Sequence, residues 1–185
     1  MLGYVDEVWW SRLAQPPMHT WSFERRLRLH ELAHERREQE PKALACYGVL
    51  FPQQQEDRML LRFVEGRPVS SITCRFLEWV SQRLAAAGTR VWALIWDNAS
   101  WHRSQRVRQW IREHNERVKR AGGVRIVMCC LPVKSPWLNP IEPKWLHGKQ
   151  AIVEPERKLT APELIERVHA HYGCEHVELI AKETA

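Results

Sequence analysis

Val91-Trp92-Ala93-Leu94-Ile95-Trp96-Asp97-Asn98 is an unbroken apolar run that ends on an acid. A run of this length reads as a strand buried on both faces, the pattern of a sheet covered by helices. Asp97 then falls where the core stops and a loop begins, the place where such sheets gather polar functional groups.

The flanking segments agree. Upstream, from Ser70 or Ser71, the residues Ile72, Phe76, Leu77, Val80 and Leu84 recur at helical spacing, and Gly88 supplies a stop. Downstream, residues 103–120 predict a helix with Val107, Trp110, Ile111, His114 and Val118 on one side and mostly arginine and lysine on the other. Gly122-Gly123 closes it, and residues 124–131 predict another buried strand, with Cys129 and Cys130 in the core.

Before this pair of helix–strand units, periodicity changes. Residues 2–10, 43–51 and 58–64 are rich in β-branched and aromatic side chains, and the polar run Pro52-Gln53-Gln54-Gln55-Glu56-Asp57 joins the last two like a hairpin. They read as three antiparallel strands. Asn139-Pro140 has the form of a helix start, and Thr160-Ala161-Pro162-Glu163 has capping-box spacing for a last helix reaching about His171. The expected fold is α/β: a mixed sheet, three antiparallel strands then parallel ones, with helices on both faces.

Composition narrows the class. With 185 residues and 44% apolar content, the chain suits one domain with a core, and no apolar run approaches membrane-spanning length. The N-terminus lacks signal-peptide order, because Asp6 and Glu7 interrupt it, so the expected location is cytoplasmic. Five cysteines without a CxxC pair argue against a disulfide framework. A net charge of +6 favours a polyanionic partner, and some of the ten tryptophans, if exposed, could stack on unpaired bases.

Three acids carry the chemical question. Asp97 is either a metal ligand on a rigid strand or part of an Asp-Asn turn, with Ser100 capping the next helix. Asp6 is either a site residue in mid-strand or a solvated acid on an edge strand. Side chains alternate along a strand, so of Asp6 and Glu7 only one is expected to join a site. Glu142 lies three residues after Asn139 and so also fits a capping box. A mid-sheet strand, a strand end and a helix start can converge, and hard carboxylate oxygens suit Mg²⁺ or Mn²⁺ in phosphodiester chemistry.

Two other patterns compete. His30-Glu31-Leu32-Ala33-His34 matches the HExxH zinc signature, but its surroundings, residues 24–40, are nearly all charged and no third ligand follows. His169, His171, Cys174 and His176 offer zinc-ligand chemistry at spacings that match no standard finger.

At Val5-Asp6-Glu7, Asp97-Asn98-Ala99-Ser100-Trp101-His102, Leu131-Pro132, Ser135-Pro136-Trp137-Leu138-Asn139-Pro140-Ile141-Glu142, then Trp145 and Lys149, the chain resembles the catalytic domain of DDE-superfamily transposases, in the bacterial insertion-sequence branch allied to mariner elements. The resemblance covers residues 1–150, leaving 151–185 as a helical tail. It implies an RNase H-like fold and a two-metal (Mg²⁺ or Mn²⁺) endonuclease and strand transferase acting on DNA. Asp6, Asp97 and Glu142 become the metal ligands, Asp6 bridging both ions, with Asn98, His102 and Asn139 in support. Arg103, Arg106, Lys134, Lys144 and Lys149 become contacts to DNA phosphates. Trp145 is expected to pack. The family usually carries an N-terminal helix-turn-helix region, and only five residues precede Asp6. The resemblance therefore implies a fragment, or a separate helix-turn-helix chain, in a homo-oligomer on nucleoid DNA. The alternative is a catalytically silent, DNA-binding remnant of a decayed element.

Overall fold

In the computed structural model, the described residues are 1–12, 19–20, 27–28, 39–53, 57–133, 135–152 and 157–181, with 19–20 and 27–28 as backbone alone. The HExxH segment and Lys134 lie outside them. The strands are β1 (Leu2–Ser11), β2 (His19–Thr20), β3 (Leu27–Arg28), β4 (Ala43–Phe51), β5 (Arg58–Val64), β6 (Val91–Trp96) and β7 (Arg125–Cys130). The helices are α1 (Ser70–Ala86), α2 (Gln105–Ala121), α3 (Ile141–Ile152) and α4 (Ala161–His171).

The main sheet runs β5-β4-β1-β6-β7, and β2 pairs only with β3. β4 is antiparallel to β1 and β5, whereas β6 is parallel to β1 and β7. This is the mixed sheet expected, and β1 at its centre joins the antiparallel half to the parallel half.

Helices cover both faces, and the alternation of β1 divides the core in two. Val5 faces α1 and α2, sharing a cluster with Phe76, Leu77, Val80, Val107 and Ile111. Val8 and Trp10 face α3 and α4, with Ile141, Trp145, Leu164, Ile165 and Val168. The polar C-terminal segment is tied in as well: Ile180 is buried, its N–H donates to Phe63 O at 2.9 Å, and its carbonyl accepts from Glu65 N–H.

Two expectations are corrected. β6 and β7 are not buried on both faces. Val91, Val127, Met128, Cys129 and Cys130 are exposed, because α3 packs over β1 and β4 and β7 is the sheet edge. Cys129 and Cys130 are therefore surface thiols. The cap of α2 is Ser104, whose hydroxyl accepts from Val107 N–H at 3.2 Å, and not Ser100. The Thr160/Glu163 capping box forms as the sequence implies.

Candidate active site

Three short stretches meet near the end of the β1–β6 ladder. Paired residues run Leu2↔Ala93, Gly3↔Leu94 and Tyr4↔Ile95; two residues further along each strand stand Asp6 and Asp97. The loop after β6 is fastened to the loop after β7 by Asn98, whose amide donates to Leu131 O at 2.6 Å. The chain then makes a one-turn 3₁₀ helix, Pro136–Leu138, and enters α3 with Glu142 in its first turn.

Asp6 sits on the α3 face. It is buried, and its Oδ2 accepts from Trp145 Nε1–H at 2.9 Å. Gly48 stands opposite Asp6 on β4, and a Cβ there would overlap the Trp145 ring; the glycine is what lets that indole reach the acid. Burial, then the charges of Glu7 and Glu142, push the Asp6 carboxyl up to about 7. The Trp145 bond only partly offsets them.

Glu7 and Asp97 meet through His102 on the other face. His102 is fully buried and stacks on Trp96, centroids 4.4 Å apart and planes within 8°. Its Nε2 lies 2.7 Å from Glu7 Oε1 and its Nδ1 2.8 Å from Asp97 Oδ1. Both ring nitrogens face carboxylates, so both donate only when the ring is protonated. Burial opposes that charge, but the bonds to Asp97 and Glu7 outweigh it and raise His102 to about 9. The same His102 bond holds the Asp97 carboxyl below its usual range, with help from Ala99 N–H at 2.9 Å.

Glu142 is exposed at the start of α3. It does not complete a capping box with Asn139. Its backbone N–H donates to Asn139 O at 3.1 Å, while the buried Asn139 Oδ1 has no hydrogen-bond partner. Asp6 and Glu142 thus share one electrostatic neighbourhood, whereas Asp97 is turned toward His102. Among the described residues no group of three or more His, Cys, Asp or Glu side chains stands ready to hold a metal ion.

The comparisons with known proteins bear on this arrangement. A family model described as "DDE superfamily endonuclease" matches residues 37–165, well over half of the chain. The chain belongs to that family. The match includes Asp97 and Glu142; Asp6 lies ahead of it. No curated protein matches the sequence. Among solved structures, the Mos1 transposase paired-end complex with left transposon end is similar at TM-score 0.61 and 13% identity, covering 95% of this chain and 48% of that one. The Mos1 strand transfer complex is similar at TM-score 0.60 and 13% identity, with the same coverage. The chain thus spans about half the length of these relatives, and at this identity the likeness shows the RNase H-like fold alone.

DDE endonucleases as a family imply divalent ions, and the donor set here can be tested against that. Asp6, Asp97 and Glu142 offer only oxygen, the unpartnered Asn139 carbonyl offers another, and no basic side chain bonds to Asp6 or Glu142 among the described residues. Asp97 is already paired with His102, whereas Asp6 and Glu142 are not neutralised among the described residues, and hard oxygen donors of that kind suit Mg²⁺ or Mn²⁺.

The basic residues divide. Arg103 and Lys149 are exposed on the turn after His102 and on α3, and Arg106 is exposed on α2. Lys144 is engaged with Asp57 Oδ2 at 2.9 Å, tying α3 to the segment before β5. Sequence reasoning missed two functional contacts. Trp145 packs against Trp10 and Tyr172 as expected, but it also binds Asp6. Glu7 was set aside by alternation, yet it reaches Asp97 from the far face through His102. A carboxylate next to a candidate ligand, with a histidine five residues after the second acid, was the available signal.

Proposed function

We propose that this chain is the catalytic domain of a transposase-type DNA endonuclease and strand transferase. The observation that carries the reading is the β1–β6 register, in which Asp6 and Asp97 each follow the last pair, Tyr4↔Ile95, by two residues, in a chain of the DDE endonuclease family. One similar Mos1 structure is a paired-end complex with a transposon end and another is a strand transfer complex, and that supports DNA ends as the substrate.

Asp6, Asp97 and Glu142 would hold two divalent ions, and the unpartnered Asn139 Oδ1 would offer a further oxygen. When bound, the ions supply Lewis acidity toward a phosphodiester and toward the attacking water or DNA 3′-hydroxyl. The chain's own residues do the rest. Trp145 fixes the Asp6 carboxylate, and His102 fixes that of Asp97. Asn98 holds the two strand-end loops together. Arg103, Arg106 and Lys149 bind phosphates and orient the duplex without reading its sequence. Recognition of element ends falls to a helix-turn-helix module other than this sheet, and the active form is a homo-oligomer on bacterial nucleoid DNA. Among the described residues no helix is long and apolar enough to cross a membrane.

The test is Asp97→Asn. It should abolish Mg²⁺-dependent nicking while salt-sensitive DNA binding persists; undiminished nicking rejects the assignment. A preprocessed DNA end with Mn²⁺ separates the silent-remnant reading, which predicts binding without joined products.

A further inference from the structure

Glu7 lies on the opposite side of β1 from Asp6, outside the oxygen cluster, yet its side chain is only 7% exposed. A buried carboxylate costs free energy unless it is paired. The Glu7 side chain meets the Tyr47 hydroxyl on the neighbouring strand and the His102 ring, and the ring carries the contact onward: Glu7 Oε1 to His102 Nε2 at 2.7 Å, then His102 Nδ1 to Asp97 Oδ1 at 2.8 Å. The ring between them has no freedom to turn. Trp96 stacks on one face, Trp101 meets it edge-on with centroids 5.9 Å apart, and none of the side chain is exposed.

The result at Asp97 is asymmetric. Oδ1 takes both the His102 bond and the Ala99 N–H bond, while Oδ2 has no hydrogen-bond partner among the described residues. The carboxylate is half exposed, so without those bonds it would sample several rotamers in water. The anchored one presents a single oxygen outward.

We infer that Glu7 is a positioning residue: through the buried His102 imidazole it locks the Asp97 carboxylate so that Oδ2 alone faces a divalent cation. This rests on the metal-site reading above. Hydrogen bonds that orient metal-ligating groups are commonly worth about 10- to 100-fold in metal affinity. The strand backbone holds Glu7, because β1 pairs with β4 through Glu7↔Tyr47, whereas Asp97 stands in the loop after β6.

The experiment uses the full 185-residue chain without DNA. The γ-carboxyl ¹³C resonance of Asp97, assigned by its loss in Asp97→Asn, reports anchoring directly, and a calorimetric Mn²⁺ titration reports the ligand. Glu7→Ala should move the Asp97 resonance toward that of a solvated aspartate and weaken Mn²⁺ binding about tenfold. Glu7→Gln keeps an oxygen facing Nε2 and should recover most of both. In a His102→Gln background, Glu7→Ala should change the Asp97 resonance no further, since the bridging ring is lost. An unmoved resonance in folded Glu7→Ala, or an equal shift in the two backgrounds, overturns the inference. If Glu7→Ala does not fold, Glu7→Leu, which keeps the volume and removes both oxygens, takes its place in the cycle. A wild-type chain that binds no Mn²⁺ but whose Asp97 signal still follows Glu7 sinks the metal reading and leaves the positioning intact.

Discussion

Adjacent residues on one strand, Asp6 and Glu7, face opposite sides of the same sheet and have opposite fates. On the α2 side, Glu7 meets a histidine caught between two acids, and the buried charges compensate one another. On the α3 side, Asp6 has a neutral indole for a partner and Glu7 and Glu142 for charged neighbours, so nothing among the described residues neutralises it. The contrast separates two kinds of buried carboxylate: one compensated by its neighbours, which holds them in place, and one left uncompensated, which is where the proposed cation would act.

The sharpest way to break the contrast is to remove the uncompensated charge. Asp6→Asn should reduce Mg²⁺-dependent DNA nicking by on the order of 1000-fold, several kcal/mol of lost stabilisation of the reacting phosphate. The same variant should gain stability in chelator. The folded carboxyl titrates near 7 against about 3.8 when unfolded, so the folded form holds the extra proton between those values. The contribution of Asp6 to stability therefore falls as pH rises from 4 to 7, and Asp6→Asn removes that fall. Urea unfolding of both chains in EDTA across that range checks the sign; a stability difference, wild type minus Asp6→Asn, that does not decrease with rising pH refutes the uncompensated reading.

Next in size are the contacts that bring the indole to the acid. Gly48→Ala places a methyl in the Trp145 ring and should cost about 1–3 kcal/mol by overpacking. Trp145→Phe keeps the aromatic packing but strands Asp6 without its donor, for a loss of about 1–3 kcal/mol. Denaturant midpoints measure both. If Trp145→Phe is neutral in stability yet lowers Mn²⁺ affinity, the indole serves the ion more than the fold.

How much of this was legible beforehand follows from what periodicity can encode. The bounds of β4, β5 and β6 coincide with their apolar runs, because turn residues and helix-forming stretches flank them and nothing competes. Layer order was also readable, since three antiparallel strands followed by helix–strand units allow few compact arrangements. The exposure of Val127 and Cys129 was not: an apolar strand looks the same whether or not a helix reaches across it, and the reach of α3 depends on where its loop lands. The acids at Asp97 and Glu142 were visible as motif residues. The His102 bridge was half visible, since its partner on the far face is distant in sequence and alternation alone argues against it.

The smallest expected effect extends the comparison to histidines. His169, on α4, is buried like His102 but has no acid beside it; its Nδ1 donates to Ile165 O at 2.8 Å and its Nε2 is unpartnered. Burial first, and then the charge of His176, lowers its pKa, the reverse of His102. A depressed histidine favours folding in its neutral form, so its contribution is complete above the unfolded value near 6.5 and is lost as pH falls below it. His169→Gln should therefore reduce the stability lost between pH 6.5 and 5, while costing a few tenths to about 1 kcal/mol at pH 8 from weaker packing on Phe63. Thermal unfolding at both ends of that range measures the difference. An unchanged acid slope would mean that His169 is already reached by water when protonated, and that the contrast between the two faces lies in their acids alone.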